Sequence, residues 1–166
     1  MKFKFTLLLF VVTMVCYAQD DFIKYEKNNY EISYPKSWQL DTTGQMDSSF
    51  ILFSGLDADD KFNENVNLTI QNLKGKDFTM ESFVELSLSQ IKRMIPNGKV
   101  IENSFNAAKN RQEVIWSGDI QQALKFKQYY YFKDEKAYIL TLTTLPETFL
   151  QFETTGNNIL NSFQLK

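Results

Sequence analysis

Apolar and polar residues alternate along several short stretches of the chain, the pattern of β-strands buried on one face. The clearest example is NVNLTIQN at 65–72, where Val66, Leu68 and Ile70 fall on one side of the strand and polar residues fall on the other. The remaining strands are predicted at 30–35, 49–55, about 100–105, 111–118 and, as a long hairpin, 124–145. The polar residues at 133–136, KDEK, are predicted to form the turn of that hairpin.

Two stretches change to the spacing of a helix. Between Thr79 and Ile95 the apolar residues recur every three or four positions. Thr79 can cap the start of this helix, and two basic residues lie in its last turn, where the helix dipole favours cations. A second helix is predicted to begin near Pro146, because proline suits the first helical position. Its apolar face is predicted from Phe149, Phe152, Ile159 and Phe163, with Gly156 on the same stripe.

The order of these elements predicts an α+β fold, in which a mainly antiparallel sheet has helices packed on its faces. The same patterns predict which large side chains form the core. We expect the following residues to be buried together: Trp38, Val66, Leu68, Ile70, Phe83, Leu88, Ile91, Trp116, Phe126, Phe132 and Phe152.

Residues 1–18 have the layout of a secretory signal peptide, with a basic start, an apolar run over 5–15 and Ala18 before the cleavage point. The apolar run of about 11 residues is shorter than the roughly 20 that span a bilayer. We therefore expect cleavage after Ala18 and a periplasmic or secreted form without a transmembrane segment. A lipoprotein signal would place a small residue before Cys16, where this chain has Val15. We therefore expect a soluble form rather than a lipoprotein.

Residues 19–166 are expected to form one domain, because their number is typical of a single domain. The chain contains no histidine, and its one cysteine lies in the signal peptide. Ser-His-Asp triads, histidine bases, thiol nucleophiles, zinc–thiolate sites and disulfides are therefore excluded from the mature form. The chain has 18 basic and 20 acidic residues, a balance that argues against nucleic acid as a partner. No glycine-rich phosphate loop is present, and no cofactor is expected.

The densest acidic cluster consists of Asp57, Asp59, Asp60 and Glu64. A calcium-binding loop that began at Asp57 would need an oxygen ligand at the position of Lys61 and a glycine at the position of Phe62. A solvated hairpin loop is therefore the favoured interpretation. A weak divalent-cation site, or a cation-dependent enzyme that uses this loop, is the alternative.

The strand KFKQYYYFK at 125–133 carries the candidate binding residues. Phe126, Tyr130 and Phe132 share one face and are predicted to lie in the core. The opposite face is predicted to carry Lys125, Lys127, Tyr129, Tyr131 and Lys133. Cations next to aromatic rings favour an anionic or aromatic partner, through stacking and cation–π contacts. The alternative is that a helix covers the tyrosines and that the lysines only keep the strand soluble.

Several stretches together resemble the PsbP-like family and the DcrB-type bacterial proteins that share its fold. They are YEISYPKSW at 30–38, FNENVNLTI at 62–70, TMESFVELSLSQI at 79–91, YYYFKDEKAYILTLT at 129–143 and NILNSF at 158–163. The resemblance implies an α-β-α sandwich around an antiparallel sheet. It also implies a non-enzymatic module that binds or assists a protein or a cell-envelope component, and we expect this module to be a monomer.

Overall fold

The computed structural model describes residues 21–56 and 62–166, which contain ten strands, two α-helices and a 3₁₀ turn at Gln45–Asp47. The strands and helices, in chain order, are β1 (Phe22–Lys27), β2 (Tyr30–Pro35), β3 (Gln39–Asp41), β4 (Ser48–Phe53), β5 (Asn65–Asn72), α1 (Met80–Met94), β6 (Lys99–Asn106), β7 (Arg111–Ile120), β8 (Gln122–Lys133), β9 (Lys136–Thr144), α2 (Phe149–Ser162) and β10 (Gln164–Leu165).

Seven of these strands form one sheet in the order β3-β4-β5-β9-β8-β7-β6, and β1, β2 and β10 form a smaller sheet. Every neighbouring pair is antiparallel. The predicted hairpin is present, since β8 and β9 pair from Lys133 opposite Lys136 to Lys125 opposite Thr144. Its turn consists of Asp134 and Glu135, both with positive φ, as tight hairpin turns require. The predicted α+β fold with an antiparallel sheet is confirmed.

Helix α1 begins and ends where its local sequence predicts. The Thr79 hydroxyl accepts a hydrogen bond from the backbone N–H of Ser82 at 3.1 Å, and the Ser82 hydroxyl accepts one from the backbone N–H of Thr79 at 3.0 Å. This reciprocal capping box satisfies two backbone donors that the first turn leaves without helical partners. The helix buries Phe83, Val84 and Ile91 against the large sheet.

Helix α2 begins at Phe149, three residues later than the prediction from Pro146. The residue before the helix is Thr148. Its hydroxyl donates to the carboxylate of Glu64 and to the backbone oxygen of Leu145, and it makes no hydrogen bond to the first turn of the helix. Neither helix of the described residues is long and apolar enough to cross a membrane.

The large side chains form two clusters on opposite faces of the large sheet, so the prediction of a single shared core is wrong. Side chains alternate between the two faces of a strand, and on β8 Tyr129 and Tyr131 join one cluster while Tyr130 joins the other. Helix α2 and β2 cover the first face, and α1 covers the second. The first cluster takes Trp38, Val66 and Leu68, with Ile70 and Phe152 at its margin; the second takes Phe83, Ile91, Trp116 and Phe126, with Leu88 and Phe132 at its margin.

Three short strands, β1, β3 and β10, do not appear among the predicted elements. Strand β1 is exposed along almost its whole length and, among the described strands, pairs only with β2, while β10 contributes two residues to the other side of β2. Such strands lack the apolar alternation that identifies a half-buried strand. Strands β1 and β10 form because β2 offers backbone partners, and β3 forms because β4 does; these are tertiary contacts that the local sequence does not reveal.

Candidate functional site

Strand β8 carries the five residues predicted to bind a partner, and two of them are buried. Tyr129 and Tyr131 are only 2% and 9% exposed. The ring of Tyr131 lies 5.3 Å from that of Phe163, just past the end of α2. The expected outward orientation of these two tyrosines is therefore wrong, because α2 and the small sheet pack over this face of β8. This was the alternative interpretation of the strand.

The three lysines of the predicted set are half-buried and point to different neighbours. The amine of Lys125 lies 3.6 Å from the centre of the Phe149 ring, and that of Lys127 lies 6.0 Å from the Tyr129 ring. The amine of Lys133 donates to the backbone oxygen of Lys166. Because a strand rises about 3.4 Å per residue, Lys125 and Lys133 are about 27 Å apart. The five residues thus do not converge on one point, and their shared role in binding stays a prediction.

Arg111, at the start of β7, is a buried cation on this face, and no sequence pattern predicted its role. Its side chain is buried, with only 3% of the residue exposed, and the guanidinium carbon lies 3.6 Å from the centre of the Tyr129 ring. Nη1 donates to the Tyr131 hydroxyl at 3.1 Å, and Nη2 donates to Oδ1 of Asn161 at 2.7 Å. Arg111 therefore links β7, β8 and α2.

The charge of Arg111 is balanced by Glu113, two residues along the same face of β7. Nη2 and Nε of Arg111 lie 2.7 and 2.8 Å from Oε1 of Glu113, which also accepts a hydrogen bond from the side-chain amide of Asn106 at 2.8 Å. Burial alone would lower the pKa of Arg111, but the contacts with Tyr131 and Glu113 outweigh it and the pKa is raised. Burial raises the pKa of Tyr129 to about 12. At neutral pH the arginine is therefore charged and the tyrosine is not.

A cavity of about 350 Å³ opens beside this cluster, at the end of the sheet where β6 turns into β7. Its polar lining consists of Lys109, Asn110, Arg111, Tyr131, Lys133, Asn161 and Gln164, and Phe132, Phe163 and Leu165 complete the wall. We call it the cationic cavity, because its lining includes three cations and no carboxylate. It contains Tyr131 and Lys133 from the predicted set, together with Lys109 and Arg111, which the prediction missed.

The turn between β6 and β7 positions Lys109 at the mouth of this cavity. The backbone N–H of Lys109 donates to both the side-chain and the backbone oxygen of Asn106, each at 3.2 Å. Asn110 then takes a positive φ of 47°, a conformation that asparagine tolerates better than most residues. One sequence signal could have identified the cluster: Arg111 and Glu113 are two residues apart, so on a strand they must share a face.

The acidic cluster can be located only in part. Asp57, Asp59, Asp60 and Lys61 lie outside the described residues. Glu64 is fully buried: its Oε1 accepts the hydrogen bond from Thr148, and its Oε2 has no hydrogen-bond partner. Within residues 21–56 and 62–166, no three histidine, cysteine, aspartate or glutamate side chains are grouped closely enough to hold a metal ion. A cation site in this loop stays a prediction.

The fold is similar to that of several solved structures, although the sequences differ widely. Cyanobacterial PsbP (CyanoP) from Synechocystis sp. PCC 6803 aligns with a TM-score of 0.65 and 13% identity, over 89% of this chain and 94% of its own. Protein PA94 of Pseudomonas aeruginosa, of unknown function, gives 0.59 and 14% identity over 85% and 94%.

A third similar structure is LpqN of Mycobacterium tuberculosis, which is involved in cell envelope biogenesis. It aligns with a TM-score of 0.59 and 10% identity, over 89% of this chain and 91% of its own. No protein-family model matches the sequence, and no curated protein is significantly similar to it. These likenesses support a PsbP-like fold, which the sequence motifs had implied.

Proposed function

We propose that this protein is a non-enzymatic binding or accessory module of the cell envelope, and that it holds an anionic group of a protein or envelope partner. The cationic cavity is the observation that carries the proposal. Three cations line it, and Glu113, which pairs with Arg111, lies outside the lining. Carboxylates and phosphates are the groups that lysine and arginine bind most strongly.

The three cations of the cavity have different parts in this proposal. Arg111 is held in place by Tyr129, Tyr131 and Asn161, so its position is fixed before a partner arrives. Lys109 is exposed at the mouth and Lys133 is half-buried, so both can move towards an anion. A fixed cation reduces the entropy lost on binding, and mobile ones adapt to the shape of the anion.

Export to the envelope is the second part of the proposal. It rests on the signal-peptide pattern of residues 1–18, and the likeness to LpqN agrees with it, although fold is a weak guide to function. Mass spectrometry of the mature protein should find Gln19 as its first residue. A diacylglyceryl group on Cys16 would instead place the protein on a membrane and contradict the soluble form.

The binding proposal is tested by capture from an envelope extract. We expect the charge reversals Lys109→Glu and Lys133→Glu together to abolish capture of the partner, because they turn the mouth of the cavity acidic. The matched control is the double variant Lys36→Glu, Lys74→Glu, which changes the net charge equally at exposed positions away from the cavity. Unfolding curves of both variants establish that the fold is retained.

Titration of the labelled protein with inorganic phosphate and with acetate, followed by NMR, locates the anion directly. Shifts at Lys109, Arg111 and Asn161 are expected, and they should disappear in the cavity variant. Equal capture by the cavity variant and its control would remove the cavity as the binding site. Turnover of a substrate by the purified protein would contradict the non-enzymatic assignment.

A further inference from the structure

Strand β6 lies at the edge of the large sheet and is paired, among the described strands, with β7 alone. All of its residues except Val100 and Asn106 are exposed. An edge strand leaves half of its backbone N–H and C=O groups without partners in the sheet, so it is a template on which another extended chain can pair.

Proteins commonly protect such edges, and β6 is protected only at its beginning. The register of its pairing with β7 shifts between Val100 and Glu102, which is a bulge that disrupts the edge there. From Glu102 to Asn106 the pairing is regular, running opposite Ile115 to Arg111. This regular segment offers about 17 Å of straight edge at 3.4 Å per residue.

A groove runs along the same segment, between β6 and the first two turns of α1. Its volume is about 610 Å³. Its apolar side chains are Met80 and Val84 of α1 and Phe105 of β6, and Phe105 is 55% exposed. Phe105 pairs across the sheet with Gln112 and thus lies on the face that α1 covers, so an added strand would place alternate side chains in this groove.

The charged side chains that line the groove or lie on residues 102–106 are all acidic. Glu81 and Glu85 form the polar rim of the groove and are exposed, and no lysine or arginine is among the residues that line it. On the other face of the strand the regular segment exposes Glu102, which pairs across the sheet with Ile115, and the uncharged Ser104. A strand that added to this edge would therefore meet apolar surface on one face and carboxylates on both.

We propose that the β6 edge and its groove dock an extended segment of a partner protein in which apolar residues alternate with lysine or arginine. The segment adds to β6 by backbone hydrogen bonds, its apolar side chains enter the groove beside Phe105, and its cations lie on the opposite face, near Glu102. A second copy of this chain is a poorer occupant, because residues 102–106 bring one carboxylate and no cation. This docking surface is made of other residues than the cationic cavity and does not depend on it.

The test uses a synthetic peptide of alternating valine and lysine, blocked at both ends, and the isotope-labelled protein. NMR shifts are expected in β6 and in the first two turns of α1, and the amides of residues 102–106 should exchange with solvent more slowly. Two control peptides should bind at least about tenfold more weakly. One has glutamate in place of lysine, and the other has a central proline, which cannot donate to the sheet.

Protein variants then separate the apolar contribution from the electrostatic one. Phe105→Ala and Glu102→Gln should each weaken binding of the valine–lysine peptide. Leu150→Ala, at an exposed position on α2, is the matched control and should bind as the wild type does. Equal binding of all three peptides, or no change in the β6 amides, would overturn the proposal. So would sedimentation that shows the protein dimerising through β6, since a second copy would then occupy the edge.

Discussion

Replacing Arg111 by methionine should destabilise the protein far more than an ordinary surface substitution. The variant keeps most of the volume of the side chain but removes its charge. The loss includes the ion pair with Glu113, the hydrogen bonds to Tyr131 and Asn161, and the contact with the Tyr129 ring. Hydrogen bonds that involve a charged group contribute about 1.5–3 kcal/mol each, and a desolvated cation–π contact contributes about 2 kcal/mol.

The expected loss of stability is smaller than the sum of these contributions, because a buried guanidinium also costs several kcal/mol to remove from water. Breaking a fully buried ion pair typically costs 3–5 kcal/mol, chiefly because the remaining partner is left charged in the interior. Here that partner, Glu113, has a side chain 24% exposed and can turn towards water. We therefore expect Arg111→Met to lower the free energy of unfolding by about 2–4 kcal/mol.

Urea denaturation measures this difference, with the midpoint expected to fall and the slope to stay unchanged. The matched control is Lys24→Met, which breaks the solvent-screened ion pair between Lys24 and Glu31 and should leave the urea midpoint almost unchanged. Glu113→Gln tests the same cluster from the other side and should also cost more than the control, because it leaves Arg111 buried without a counter-charge. A loss below about 1 kcal/mol for Arg111→Met would show that the cluster adds little to stability.

Three further predictions concern helix packing, pH and metal binding. Gly156→Ala should lower the free energy of unfolding, measured in urea, by about 1–2 kcal/mol. Alanine favours a helix more than glycine does, but the new Cβ would lie 2.5 Å from Cδ2 of the buried Leu142. The control Gln151→Ala, at an exposed position of the same helix, should leave the stability unchanged. The folded-state pKa of Tyr129 is raised by burial to about 12, above its unfolded value near 10. The stability that Tyr129 contributes is therefore complete below pH 10 and is lost as the pH rises through about 12. If a Tyr129→Phe variant lost as much stability as the wild type between pH 10 and pH 12, this assignment would be contradicted. Millimolar calcium, magnesium or manganese should not raise the melting temperature beyond the effect of ionic strength, and a larger rise would show that the carboxylates of the 57–64 loop form a site.

Local sequence patterns predicted the strands and helices whose faces and ends depend on nearby residues. The alternation of Val66, Leu68 and Ile70 identified β5, and the helical spacing after Thr79 identified α1 together with its cap. These features depend on contacts between residues at most four positions apart, or on which side of a strand a residue lies. The PsbP-like motifs extended this prediction to the fold, which the structural neighbours support.

The tertiary structure alone decided what covers each face and where the polar groups meet. Alternation placed Tyr129 and Tyr131 on the same face, but it could not show that α2, which follows some 20 residues later, packs over them. Arg111 meets Asn161 across 50 positions of sequence, and both residues line the cationic cavity. The large side chains divide into two cores because the sheet is covered on both faces. Periodicity shows on which face of the sheet a side chain lies. Whether that side chain is buried depends on which distant segment packs on that face.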